Sequence, residues 1–199
     1  MEVKWVDEFE GGFGWLTREA RMRTSHALVV DGGVWLVDPF DVPELDDRVR
    51  TAGKPRGVVQ LLDRHNRDCA ALAARYDVPH VRVPATKGTP FQLLQLYSLP
   101  LWREAALWWP EARVLAVGDA LGTIAYFVAP GEQLGVHPFL RLTPPRQLAA
   151  FDAQHVLVGH GWGVHGPDTP VILRRALVTS RRRMPAAWLH GFKSMFRRR

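Results

Sequence analysis

Three apolar stretches of this chain end in side chains that hold metal ions or move protons. Val58-Val59-Gln60-Leu61-Leu62 runs into Asp63, Arg64, His65, Asn66, Arg67, Asp68 and Cys69. Val114-Leu115-Ala116-Val117 runs into Gly118-Asp119, and Val156-Leu157-Val158 into Gly159-His160. Imidazole and carboxylate are ligands for zinc, manganese or iron. An ion so held can activate water against an ester, amide, thioester or phosphodiester bond. The candidate ligands are His65, Asp119, His160, Asp68 and Asp63, with Asp63 and Asp119 also the catalytic candidates. Gly118 and Gly159 let backbone come close to an ion or substrate. A competing reading has His65, Asp119 and His160 holding loops by hydrogen bonds, with no ion.

The surrounding pattern supplies elements to position these groups. The run at 57–62 reads as a buried strand, followed by a helix over about 67–76 rich in alanine. In open α/β architectures chemistry collects beyond the C-terminal ends of such strands. Residues 3–38 read as β structure, with a hairpin at Asp31-Gly32-Gly33. Asp41 is placed to cap a short helix running to about Arg50. A second hairpin joins Ala105–Trp109 to Arg113–Val117, so Trp108 and Trp109 should face opposite ways. Ala120 to Phe127 reads as helix or ordered loop, and Thr143-Pro144-Pro145 as the start of a helix through Ala150. Asp168 with Pro170 starts a helix to about Arg181, and Pro185 opens a last one. Two β-rich portions, each followed by helices, favour a two-sheet sandwich covered by helices.

Composition bounds the rest. The 199 residues suffice for one sizeable domain. No apolar run of about 18 residues occurs, so no membrane span is expected. The N-terminus lacks the pattern of a signal peptide, and Cys69 is the only cysteine, which excludes an internal disulfide and fits a cytoplasmic location. Cys69 itself reads as a small buried hydrophobe. The net charge of +6 is uneven: residues 174–199 carry nine arginines and lysines and no acid, which leaves the remainder net acidic.

Taken together, these motifs resemble the metallo-β-lactamase superfamily over about residues 24–165. Leu36-Val37-Asp38-Pro39 is similar to that family's opening strands and their aspartate. Leu61 to Asp68 stands where the family has H-x-H-x-D-H. Val117-Gly118-Asp119 is similar to the strand that supplies a bridging aspartate, and Gly159-His160 to the late histidine. The resemblance implies an αββα sandwich spanning residues 1–180, with 181–199 as a basic, aromatic tail. It also implies a metal-dependent hydrolase ancestry.

Departures from the family pattern alter the expected chemistry. Asp63 replaces the first histidine, Arg67 the aspartate and Asp68 the last histidine of the motif, and the position of a further histidine falls near Pro100. A guanidinium is always charged and accepts no hydrogen bond, so Arg67 cannot ligate. Beside Asp63, Asp68 and Asp119 it would take the place and the charge of a missing ion. The expectation is a divergent, non-catalytic member without a dinuclear zinc centre and with no cofactor. The alternative is a hydrolase with one ion, zinc or else manganese or iron, held by His65, Asp119 and His160 with Asp63 or Asp68. Trp102 and His165 are candidates for the pocket wall of an unknown small molecule. For the tail, the expectation is a helix docked by Trp188, Leu189, Phe192 and Phe196 with its arginines solvated. The alternative is contact with nucleic acid or an anionic membrane through 181–199.

Overall fold

The computed structural model describes residues 2–85 and 87–196. Its first half is built from Val3–Phe9 (β1), Gly12–Thr17 (β2), Thr24–Val30 (β3), Gly33–Val37 (β4), Leu45–Ala52 (α1), Lys54–Gln60 (β5), Cys69–Tyr76 (α2) and His80–Arg82 (β6). The six strands form one sheet in chain order, antiparallel through β4 and parallel from β4 to β6. The second half contains Gln92–Leu99 (β7), Trp102–Trp109 (β8), Val114–Ala116 (β9), Leu121–Gly122 (β10), Gly135–Val136 (β11), His155–Leu157 (β12), Val164–His165 (β13), Thr169–Thr179 (α3) and Met184–Phe196 (α4). Its five-stranded sheet runs β13-β12-β9-β8-β7, with β9 and β12 parallel, and β10 pairs with β11 separately.

Alternation along the strands divides the apolar residues among three layers, because neighbouring side chains leave a strand on opposite faces. Leu28, Val37, Val59, Leu107, Val114, Ala116 and Leu157 meet between the two sheets. Their neighbours Ala27, Leu36 and Val58 turn outward to pack with Leu45, Val49 and Leu72 of α1 and α2. On the other side Ala106, Leu115 and Val156 pack with Leu173, Ala176 and Leu177 of α3. The result is the αββα sandwich expected from the sequence. Trp108 stacks near Phe151 and Trp109 near Phe91, on opposite faces as expected.

Four local readings change. Asp41 does not cap α1: that helix starts after Glu44, and the Asp41 carboxylate pairs with Arg75 instead. The segment after Thr143 is a 3-10 turn over Arg146–Ala150, closed by three-residue bonds from the Leu148 amide to the Pro145 carbonyl and from the Phe151 amide to the Leu148 carbonyl. For Ala120 to Phe127 the change is only a narrowing: of helix and ordered loop, the loop holds, with the two-residue strand β10 inside it. The last helix forms as expected but packs through different residues. Its buried positions are Ala187 and Gly191, while Trp188, Leu189 and Phe192 are 51%, 56% and 58% exposed. Arg197-Arg198-Arg199 and the side chain of Phe196 lie outside the described residues.

The inter-sheet layer carries the sandwich. Leu107 is fully buried there, so Leu107→Ala is expected to cost about 2–5 kcal/mol in urea unfolding. Val171→Ala on the exposed face of α3 should stay within about 0.5 kcal/mol of the parent.

Candidate metal centre

Each functional side chain sits just past a strand end. Asp38 follows β4, where it is buried and adopts a left-handed backbone with φ of +43°. Its Oδ1 accepts the Leu61 amide at 2.8 Å, which clamps the loop that follows β5. Its Oδ2 lies 2.8 Å from His65 Nδ1. Asp119 follows β9, and His160 follows β12. The two loops touch through the Gly159 amide, which donates to the Gly118 carbonyl at 2.9 Å. A Cβ on Gly159 would stand 2.6 Å from that carbonyl oxygen and 2.9 Å from the His65 ring, so only glycine fits.

The two imidazoles converge on one oxygen. His65 Nε2 lies 3.0 Å and His160 Nε2 3.2 Å from Asp119 Oδ1. One ligand atom from each of these residues lies within 4.8 Å of the other two. The opposite nitrogens are held by acceptors: His65 Nδ1 by the Asp38 carboxylate, and His160 Nδ1 by the Arg21 carbonyl at 2.6 Å. This is the outer arrangement that orients metal-ligating histidines. Ligands of one tetrahedral ion at about 2.0–2.1 Å stand roughly 3.3 Å apart, close to the 3.0 and 3.2 Å between Asp119 Oδ1 and the two rings. With carboxylates at both of its nitrogens, His65 needs either two protons or a cation beside Nε2. Burial and Arg67 disfavour its charged form, but Asp38 and the hydrogen bonds to both carboxylates outweigh them and raise its pKa. Burial pushes the Asp119 carboxyl up, yet its bonds to His160 and His65 prevail and hold it well below the usual range.

Arg67 points inward. Its guanidinium donates to the Asp38 carbonyl at 2.8 Å, to Ser25 Oγ at 3.1 Å and to the Gly159 carbonyl at 3.2 Å, and it also reaches the Thr24 carbonyl. The anticipated direct pairing with Asp63, Asp68 and Asp119 does not occur. Its contacts are main-chain carbonyls and a hydroxyl, and the carboxylates of Asp38 and Asp119 act on it through space. Burial lowers its pKa. Like Asp38, Arg67 has a left-handed backbone, with φ of +38°. Such conformations cost of order 1 kcal/mol each and persist where surrounding contacts over-determine them.

The remaining sequence candidates separate. Asp63 turns toward β8, where its Oδ2 accepts the Arg103 amide at 3.2 Å. Asp68 turns back to accept the Asp41 amide at 2.8 Å. Both serve main-chain amides and stand outside the trio formed by His65, Asp119 and His160. His165 is not at the mouth either: its Nε2 is tied to Asp7 at 3.1 Å, beside His155 at the end of the second sheet. Trp102 does flank the site, with the Arg64 guanidinium 4.1 Å over its ring. Cys69 is buried, and burial pushes its thiol pKa up.

Two residues are prominent here that sequence reasoning passed over. Arg64 reaches Asp119 Oδ2 at 3.4 Å and the Leu101 carbonyl at 2.8 Å, which places a cation at the rim. Glu104 is fully buried beneath the site. It accepts the Ala120 amide at 2.8 Å and Trp102 Nε1 at 2.7 Å. Burial, reinforced by Asp119, pushes its carboxyl up to about 8. A lone carboxylate within Trp102–Trp109, a strand otherwise mostly apolar, was the available signal.

No family model matches the sequence, and no curated protein is a significant match to it. Solved structures do match in shape. A metallo-β-lactamase from Erythrobacter litoralis is 16% identical, with a TM-score of 0.60 over 91% of this chain and 93% of that one. The DIM-1 metallo-β-lactamase exposed to ceftazidime is 13% identical, with a TM-score of 0.57 over 90% and 98%. TTHA1623 in a di-iron-bound form is 19% identical, with a TM-score of 0.57 over 81% and 96%. The chain has the metallo-β-lactamase fold. Within that fold, the donor set of His65, Asp119 and His160 suits one ion. Among the described residues no second group of ligands gathers beside it: Asp63 and Asp68 serve main-chain amides instead.

Two outcomes are expected. Arg67→Met should cost at least about 2 kcal/mol in chemical unfolding, because it strands several buried acceptors. Glu104 holds a proton when folded that it releases when unfolded, between its ordinary value of about 4.3 and its raised value. Stability should therefore fall as pH rises from about 5 to 8 and level off above. Glu104→Gln should flatten that part of the melting-temperature profile.

Proposed function

We propose that this chain is a metal-dependent hydrolase with one ion rather than two, held by His65, Asp119 and His160. The observation that carries the reading is the convergence of two Nε2 atoms on a single Asp119 oxygen, each ring oriented from its far side. A bound ion would activate a water and polarise the scissile group of an ester, thioester, amide or phosphodiester. Asp38 and the Arg21 carbonyl orient the two rings. Arg64, stacked on Trp102, offers a positive charge at the rim for an anionic substrate group or for charge that develops during reaction. In this reading Arg67 takes the part of the second ion by holding the Thr24, Asp38 and Gly159 carbonyls together.

A second reading keeps the fold and drops the chemistry. The trio already contacts itself directly, and Arg64 reaches Asp119 Oδ2. Protons on His65 and His160 would complete the same contacts and make the site a structural latch or a ligand-binding pocket.

Protein purified without chelator and analysed for metal distinguishes the two. The hydrolase reading expects close to one equivalent of zinc, manganese or iron, lost in His160→Ala but retained in Arg64→Ala. In the latter, hydrolysis of an ester or phosphodiester probe should weaken mainly through KM. Two equivalents would overturn the role given to Arg67. No metal, together with unchanged folding after extensive dialysis, would leave the latch.

A further inference from the structure

The structure assigns α4 and the turn beneath it a second surface, distinct from the metal centre. We propose that this face docks on a bilayer containing anionic lipid. Helix α4 rests on the domain through its smallest residues. Ala187 is fully buried, and Gly191 is buried against Tyr126, whose Cα lies 3.4 Å from where a Cβ on Gly191 would be. The large apolar side chains face outward: Trp188, Leu189 and Phe192 are each more than half exposed. Phe139 at 71% and Leu142 at 56% exposed extend the same face. They belong to it because Trp188 Nε1 donates to the Pro138 carbonyl at 3.3 Å and Arg181 Nε to the Leu142 carbonyl at 2.7 Å. These five side chains are half of the large apolar residues that stand exposed among the described residues. The patch is therefore concentrated, and concentrated patches mark interaction surfaces.

Charge selects the occupant. Residues 174–199 contain nine basic side chains and no acidic one. The nearby Glu132 is consumed by Arg141 and Arg183, so it adds no exposed negative charge. Arg182, just before α4, and Lys193, next to Phe192, are exposed, and Arg197, Arg198 and Arg199 follow in the sequence. Aromatic and aliphatic side chains on one face of a helix with flanking cations form the pattern that lies in a lipid interface. Nucleic acid would use the cations but leaves no role for Leu142 and Leu189. A second copy of this chain would set like charges against each other. No helix among the described residues is long and apolar enough to cross a membrane, so contact would be at the surface.

The test is co-sedimentation of the full chain with vesicles of phosphatidylcholine, alone or mixed with phosphatidylserine, which gives the surface a negative potential. Binding is expected only with phosphatidylserine, and it should weaken by about tenfold or more from low to high salt, because exposed charges are screened. Leu189→Ser/Phe192→Ser should abolish it with an unchanged melting temperature, since both side chains are more than half exposed. Lys193→Glu should weaken it through charge alone. Equal binding to both vesicle types would overturn the proposal, as would self-association lost in the same double variant without vesicle binding. Retention by duplex oligonucleotide with no sedimentation on vesicles would overturn it too. None of these readouts depends on metal content or hydrolysis.

Discussion

A guanidinium held among main-chain carbonyls is the constraint on which the centre of this molecule depends. Arg67 reaches the carbonyls of Thr24 and Asp38, from the first sheet, and that of Gly159, from the second. Carbonyl oxygens gathered at one point repel one another unless a cation or a set of donors stands among them. The planar fork of arginine meets several of them at once, which a lysine ammonium would do less well. Two residues of the assembly, Asp38 and Arg67, are held in left-handed conformations. The contacts around them are strong enough to keep both there.

The charges above this anchor are arranged in opposition. Asp38 and Asp119 face the two nitrogens of His65, and Arg64 faces the outer oxygen of Asp119. Glu104 lies below with no cation in direct contact among the described residues, and burial, reinforced by Asp119, drives it toward the neutral acid. The cluster therefore holds negative charge where a cation is useful and removes it where none is available. In the proposed reading that balance would accommodate one added positive ion between the imidazoles and the Asp119 carboxylate. A second would be set against a guanidinium that cannot lose its proton.

Much of the fold was legible because its signal is periodic. Alternation along β3, β5, β8, β9 and β12 separates inner from outer faces, and glycine and charged residues mark where those strands end. The trio was legible for the same reason, since each member follows the end of an apolar run. Rotation about the chain left no such mark. Asp63 and Asp68 have suitable chemistry, but turn geometry directs them to main-chain amides. Spacing placed His165 near His160, yet the intervening glycines carry it to Asp7. Glu104 was hidden because its meaning comes from what surrounds it in space. The last helix misled for a related reason: its aromatics looked like the packing face, whereas Ala187 and Gly191 allow the closer approach.

The Arg67 anchor has a consequence for how this fold responds to its surroundings. Where loops converge on exchangeable ions, their assembly varies with supply, and scarcity or a competing ligand can loosen them. In the reading proposed for Arg67, part of that duty would belong to a side chain joined to the backbone by covalent bonds, present from the moment of synthesis. On that reading the loops after β4 and β12 would remain gathered through metal starvation, with the pocket preformed for whatever next enters it.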